Sequence, residues 1–261
     1  MRAMVLAAGL GTRLRPLTDT RPKALVEIAG RTLLEITLTR LRTFGISEVI
    51  INVHHFADLV IDYLKSNKNF GMRIEISREY DLLLDTGGGL KKAAWFFLED
   101  PVRLDEPFLL HNVDVLSTID FARMLQFHKE HHALATLAVQ SRETSRPLLF
   151  NERAQLCGRR VDDQDTLIPN PPHAVVSSEA RNLSPTPLQP LAFSGIHLIS
   201  PRLLPMLTEE GIFSIIPAYL RLAAQGQNIL AFRADAYYWR DLGRPADLAQ
   251  ATHDFQQQAL L

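Results

Sequence analysis

Apolar runs of strand length alternate with apolar runs of helical spacing from the third residue onward, and this alternation limits the fold more than any other feature. Ala3 to Ala7 is a short run that ends in a glycine loop. Thr32 and Glu35 have capping-box spacing, Leu34, Leu38 and Leu41 recur at helical intervals, and Gly45 supplies a stop, which predicts a helix over roughly Leu33 to Phe44. Val49 to Val53 reads as a second strand, Ala57 to Ser66 as a helix and Arg73 to Ser77 as a third strand. This β-α-β-α-β order predicts an α/β fold: a Rossmann-like, mostly parallel sheet with helices on both faces.

Further along, a second glycine loop at Thr86-Gly87-Gly88-Gly89 is expected to lead into a helix near Leu90 to Phe97. Phe108 to His111 begins another strand, which ends at Asn112-Val113-Asp114. An acidic group is thereby placed at a strand's C-terminal end, where open α/β sheets bind ligands. Between Ser141 and Pro190, prolines and polar residues, including Asn170-Pro171-Pro172, replace the alternation, so 141–190 is expected to form an excursion or lid. Within it, Leu148 to Phe150 and Gln155 to Cys157 flank a turn at Asn151-Glu152-Arg153, the pattern of a small hairpin. The sheet resumes at Ala192 to Ile199, Ile215 to Gln225 reads as a helix stopped by Gly226, Ile229 to Phe232 reads as a strand, and Pro245 fits the first turn of a last helix.

Charge excludes one class of partner: 28 Lys+Arg against 29 Asp+Glu leave a net charge of -1, so no broad basic field exists to hold a nucleic-acid backbone. Arg13 and Arg15 interrupt the apolar start before a signal-peptide core or membrane span is complete, and no later run reaches spanning length. No membrane association is expected. The single cysteine, Cys157, allows no intramolecular disulfide and reads as an ordinary packed or surface thiol. His54-His55 and His128 with His131-His132 do not reproduce a zinc-binding pattern, and Tyr237-Tyr238-Trp239 reads as packing beside a strand.

Phosphate chemistry, if present, must therefore be local, and one segment carries it. Leu6-Ala7-Ala8-Gly9-Leu10-Gly11-Thr12-Arg13-Leu14-Arg15-Pro16-Leu17-Thr18 is followed by Arg21-Pro22-Lys23-Ala24-Leu25. Glycine lets backbone N–H groups approach a phosphate without an intervening Cβ, and successive amides form an anion nest. Arg13 adds a planar, bidentate cation and Lys23 a mobile point charge. The loop is not a dinucleotide fingerprint, because Leu14 stands where the third glycine would be. It also lacks the Gly-Lys-Ser/Thr ending of a P-loop.

The segment does closely resemble the signature of the sugar-1-phosphate nucleotidylyltransferase family, G-x-G-x-R-(L/M)-x-P-L-T followed by P-K. The resemblance continues in order along the chain. Leu84-Asp85-Thr86-Gly87-Gly88-Gly89-Leu90 is similar to the family's second glycine loop, which contacts base and ribose. Asp114 is similar to its metal-binding aspartate, Asp241 in Trp239-Arg240-Asp241-Leu242-Gly243 to the distant partner, and Phe193-Ser194-Gly195-Ile196 to the segment near the sugar. Gly195 also reads simply as a glycine bulge in a strand. Val113 departs from the glycine usual before the first aspartate.

The resemblance implies a GT-A-like nucleotidyltransferase fold in one domain, 1–261, with a nucleotide-binding half over about 1–118 and a sugar-phosphate half over 119–261. Ala7, Ala8, Gly9, Gly11, Thr12, Arg13, Asp85, Thr86, Gly87 and Gly88 would bind the nucleotide. Asn112, Ser194 and Gly195 would face the sugar, and Arg13, Lys23 and Asp114 would act in catalysis. Asp114 and Asp241, supplemented by triphosphate oxygens and water, suit Mg²⁺, which takes hard oxygen ligands and rarely has a complete protein cage.

An NTP and a sugar 1-phosphate are the implied substrates. The compact length and the Asp-Thr-Gly-Gly-Gly loop resemble most the N-acetylmuramate-1-phosphate uridylyltransferase group of cell-wall recycling, which implies UTP and N-acetylmuramate 1-phosphate. GTP with mannose or heptose 1-phosphate is the alternative, and a non-catalytic nucleotide-binding regulatory subunit is the alternative of another class. The chain is expected to be cytoplasmic, a monomer or small homo-oligomer, without a fused C-terminal β-helix.

Overall fold

Successive side chains of the first strand point to opposite sides, and here both sides are apolar: Ala3 and Val5 join one buried cluster while Met4 joins another. A sheet built on such a strand must be covered on both faces. The computed structural model describes residues 1–169 and 187–257 of the chain. It runs β1 (Ala3–Leu6), β2 (Glu27–Ile28), β3 (Arg31–Thr32), α1 (Leu33–Thr43), β4 (Glu48–Val53), α2 (Ala57–Ser66) and β5 (Arg73–Arg78). Next come α3 (Asp85–Lys92), α4 (Trp95–Leu98), β6 (Phe108–Asn112), β7 (Val115–Ser117), α5 (Phe121–Glu130) and β8 (Ala135–Gln140). The remainder is β9 (Leu148–Phe150), β10 (Leu156–Val161), β11 (Gln164–Leu167), β12 (Gln189–Ile199), α6 (Ile215–Ala224), β13 (Ile229–Arg233), β14 (Trp239–Asp241) and α7 (Pro245–Gln257).

The main sheet has the order β11-β10-β9-β12-β6-β1-β4-β5, with β8 paired to both β12 and β13. β6, β1, β4 and β5 are mutually parallel neighbours, as are β8 and β13, while β12 runs antiparallel to β6, β8 and β9. Parallel neighbours need crossovers, and helices supply them on both faces. Leu34, Leu38, Val60 and Phe121 of α1, α2 and α5 pack in one cluster; Leu90, Phe96 and Leu222 of α3, α4 and α6 pack in the other.

Local signals place the helix ends. The Thr32 hydroxyl accepts from Glu35 N at 3.0 Å, capping α1, and Gly45 takes a left-handed φ of 73° after its last turn. The parallel strands end in one row: Leu6 of β1 is in register with Asn52 of β4 and Asn112 of β6. That row is the edge on which the polar residues gather.

Three features differ from the sequence expectation. Gly87, Gly88 and Gly89 are not a loop before a helix but lie inside α3, which is separate from α4. The described part of the 141–190 excursion is an extension of the sheet: the expected hairpin forms as β9 and β10, and β11 pairs with β10. Asn170-Pro171-Pro172 lies outside the described residues. Finally, β7 and β14 form a three-residue antiparallel ladder that carries Asp241 to the position opposite Val115. Among the described residues, no helix is long and apolar enough to cross a membrane.

Buried histidines give the fold a pH dependence. His111 on β6 bonds through Nδ1 to Asn112 O at 2.8 Å, and His197 on β12 bonds through Nδ1 to the Tyr219 hydroxyl at 2.9 Å. Burial lowers His111 from its ordinary 6.5 to about 4 and His197 to about 3. His128, bonded to Thr136 and Ser200, is lowered to about 4 for the same first reason. With the folded values below 6.5, the unfolded chain binds more protons as pH falls. The stabilisation is therefore full above about pH 6.5 and is lost progressively toward about pH 4. Denaturant midpoints should fall between pH 7 and pH 5, with a shallower slope in His197→Asn; an unchanged slope would contradict this origin.

Candidate active site

The first glycine loop owes its shape to residues well beyond its glycines. Gly11 has a φ of 66°, and a Cβ there would lie 2.9 Å from Thr18 Cγ2 and 3.2 Å from Lys23 Cβ. The Thr18 hydroxyl donates to Gly11 O at 2.9 Å, so the later part of the motif folds back and fixes the earlier part. A 3-10 turn over Thr12–Leu14 buries Leu14 and leaves Thr12 and Arg13 exposed. Nothing lies within 4 Å of a Cβ built on Gly9, which keeps that stretch of backbone open to a ligand.

This loop forms one wall of a cleft of about 510 Å³. Of the residues expected from sequence, Ala7, Ala8, Gly9, Gly11, Thr12, Arg13, Lys23, Asp85, Thr86, Asn112 and Asp114 all line it. Lys23, only 8% exposed, pairs its ammonium with Asp114 Oδ2. Residues 91 positions apart in sequence are thus joined in the cleft. Val113 donates its N–H to Leu6 O at 3.0 Å and buries its side chain in the core. It is not among the residues with positive φ, so glycine is not needed there and the departure leaves the carboxylate in place.

Asp241 is outside the cleft lining but is tied to it. Leu242 N donates to Asp114 O at 2.8 Å, and Gly243, which lines the cleft, donates its N–H to Asp241 Oδ1 at 2.7 Å. A Cβ on Gly243 would lie 2.5 Å from Asp241 Oδ1 and 2.6 Å from Arg13 Nη2. The absence of that one atom lets the guanidinium and the carboxylate share the space beside Gly243. Asp114 and Asp241 supply a set of hard oxygen donors. Among the described residues no cluster of three His, Cys, Asp or Glu gathers anywhere, so a bound cation would draw its remaining ligands from substrate oxygens and water.

The second glycine segment is placed differently. Gly87 N and Gly88 N donate to Phe213 O at 2.9 and 3.2 Å, and neither glycine lines the cleft. The Thr86 hydroxyl accepts from Ile215 N at 3.0 Å, so this segment also caps α6. Ser194 and Gly195 lie in β12, where the pairing with β8 slips its register between Phe193 and His197 and Gly195 has a φ of 72°. Gly195 is therefore a bulge glycine that also admits close approach: its Cβ would be 2.9 Å from Asn112 Nδ2.

Sequence reasoning missed a buried relay that joins the two glycine segments. Asn52 Oδ1 accepts from Ala7 N at 2.8 Å, Asn52 Nδ2 donates to Glu79 Oε1 at 2.8 Å, and Glu79 Oε2 accepts from Leu84 N at 2.8 Å. Asn52 and Glu79 are 3% and 2% exposed. The available signal was a polar residue inside the apolar run Val49 to Val53 and an acid directly after β5, both at strand C-terminal ends. Leu83 and Ile212, also on the cleft wall, gave no such signal.

Four likenesses bear on this geometry. The family described as nucleotidyl transferase matches residues 2–148. N-acetylmuramate alpha-1-phosphate uridylyltransferase of Caulobacter vibrioides is 34% identical over 248 residues, spanning 93% of this chain and 92% of that protein. Mannose-1-phosphate guanyltransferase of Yarrowia lipolytica is 27% identical over 256 residues, which is 97% of this chain but 63% of the relative. Among solved structures, UDP-glucose pyrophosphorylase complexed with UDP-glucose matches with a TM-score of 0.73 at 17% identity, covering 98% of each chain, a likeness of fold.

Proposed function

Because the chain belongs to the sugar-1-phosphate nucleotidyltransferase family, we propose that it joins UTP to N-acetylmuramate 1-phosphate, releasing pyrophosphate. The observation that carries this reading is the convergence of Arg13, Lys23 and Asp114, from three separate segments, on one cleft at the C-terminal ends of parallel strands. The relative matched across nearly its whole length supports the choice of substrates.

In the proposed reaction a sugar-phosphate oxygen attacks the nucleotide α-phosphorus in line. The bond from that phosphorus to the bridging β-phosphate oxygen breaks, and the electron pair leaves with pyrophosphate. A phosphate monoester has its second pKa near about 6, so the nucleophile needs no strong base at neutral pH. The difficulty is bringing two anions together, and the site answers it with alignment and positive charge. The amides of Ala8 to Thr12 cradle the triphosphate, Arg13 holds the departing pyrophosphate, and Lys23 holds the phosphate being transferred. Asp114 and Asp241 would hold Mg²⁺, which when bound neutralises phosphate charge and fixes the α-phosphate. Asn112, on the cleft wall, would face the sugar, with Gly195 and the fully buried Ser194 behind it and outside the cleft lining. A reaction fed by nucleoside triphosphate and a phosphorylated amino sugar belongs in the cytoplasm, in cell-wall recycling.

The test is Mg²⁺-dependent pyrophosphate release with each NTP against a panel of sugar 1-phosphates. UTP with N-acetylmuramate 1-phosphate should give the highest kcat/KM. Preference for GTP with mannose or heptose 1-phosphate would replace these substrates. Tight nucleotide binding with no release across the panel would mark a non-catalytic nucleotide-binding subunit.

A further inference from the structure

Buried polar atoms without partners concentrate around Trp239, two residues before Asp241. Of six such side-chain atoms among the described residues, four are Asn112 Oδ1, Ser117 Oγ, Arg142 Nε and Ser194 Oγ. Each unsatisfied buried group is costly, so a cluster of them calls for a ligand or water. Three of the four residues neighbour one aromatic side chain. Trp239 Nε1 donates to Ser194 O at 2.7 Å, and Trp239 is in register with Ser117 across the β7–β14 ladder. The Arg142 guanidinium lies 3.8 Å from the centre of the Trp239 ring, and its Nη2 donates to Phe193 O at 2.7 Å. Gly195 brings Asn112 against the same wall.

The position of Arg142 relative to the transfer site follows from strand geometry. Trp239 and Asp241 are two residues apart on β14, so their side chains share a face. Arg142, stacked on Trp239, lies on the face that carries Asp241. The Arg142 side chain is half-buried there, with its Nε enclosed and without a partner. Arg13 approaches the Asp241 carboxylate across Gly243, from the nucleotide loop. Arg142 approaches from just beyond β8, in the other half of the chain. Asp241 is therefore flanked by two guanidinium groups that arrive from opposite halves. An in-line transfer needs the leaving and attacking anions on opposite sides of the α-phosphorus, and Arg13 already belongs to the triphosphate loop.

We propose that Arg142, held flat on Trp239, is the residue that receives the phosphate of the incoming sugar 1-phosphate. This rests on the reaction proposed above. Arginine suits the task because its donors form a rigid fork, and one of them is already fixed by Phe193 O. Trp239 and Phe193 are thus positioning residues for it, and Arg142 is the substrate-binding one.

Steady-state kinetics of full-length Arg142→Gln and Arg142→Lys test this, with pyrophosphate release measured on the sugar 1-phosphate that the unmodified chain turns over fastest. Arg142→Gln should raise KM for the sugar 1-phosphate by about 10–100-fold, the scale of a lost charge-assisted hydrogen bond, and leave KM for the NTP within about 2-fold. Arg142→Lys, which keeps the charge without the fork, should recover part of the loss. In the reverse direction KM for pyrophosphate should not move. An unchanged sugar-phosphate KM, or equal rises in both KM values, would overturn the assignment. Should Arg142→Gln not fold, the same split measured on Arg142→Lys decides the matter. A chain that turns over no member of the panel would instead defeat the reaction on which the proposal rests.

Discussion

Asp114→Asn is expected to lower kcat by about 10²–10³-fold with little change in secondary structure, the scale on which preorganised charge acts in a closed site. Asparagine keeps the shape of the side chain but removes the charge that faces the Lys23 ammonium and the hard oxygen offered to a cation. Lys23 is nearly buried, so losing its counter-charge should also destabilise the fold by about 1–3 kcal/mol. Lys23→Ala should lose activity on the same scale. Since the two side chains form one contact, the double variant should be little slower than either single variant. Pyrophosphate release at saturating Mg²⁺, paired with urea denaturation, measures both quantities. Normal turnover in folded Asp114→Asn would show that the pair is a strut and not part of the reaction, and losses that simply add would show that the two side chains act independently.

Gly88→Ala carries the second large effect, and it acts on stability first. The added Cβ would lie 2.6 Å from Gly211 O and 2.9 Å from Leu84 Cβ, and backbone cannot swing aside as a side-chain tip can. Overpacking of this kind costs about 1–3 kcal/mol. The upper end is expected here, because the clash drives α3, whose Thr86 caps α6, away from the Gly211–Phe213 segment that leads into α6. KM for the nucleotide should rise as well, since Asp85 and Thr86 at the start of α3 line the cleft. Gly226→Ala is the control: it has open space around it, and its cost of about 1 kcal/mol comes from its φ of 80° alone. Equal denaturant midpoints for the two variants would refute the steric account.

These expectations also show what the sequence made legible. The strands, α1 and α2 could be read because their apolar spacing is local, and Arg13, Lys23 and Asp114 because a long motif fixes their order. The glycine triplet was misread as a loop because glycine usually signals conformational freedom. Here it signals space for Phe213 and Gly211, more than a hundred residues away, which no local pattern reveals. The 141–190 segment showed its hairpin but hid β11, which is exposed along its length and so lacks alternation. β7 and β14 are three residues each, too short for any period. Arg142 was silent because its meaning comes from Trp239, a partner on a strand nearly a hundred residues later.

The Ala7–Asn52–Glu79–Leu84 relay bears on how such an enzyme changes substrates. It ties the backbone that cradles phosphates to the backbone at the start of α3 through two buried side chains, with no slack between them. The two segments behave as a single rigid jaw, not as independent fingers. A substitution near Asp85 that resizes the far end of the cleft for another base will also tilt the phosphate cradle. Altered base preference should therefore come with lost turnover unless Asn52 or Glu79 is adjusted in the same step.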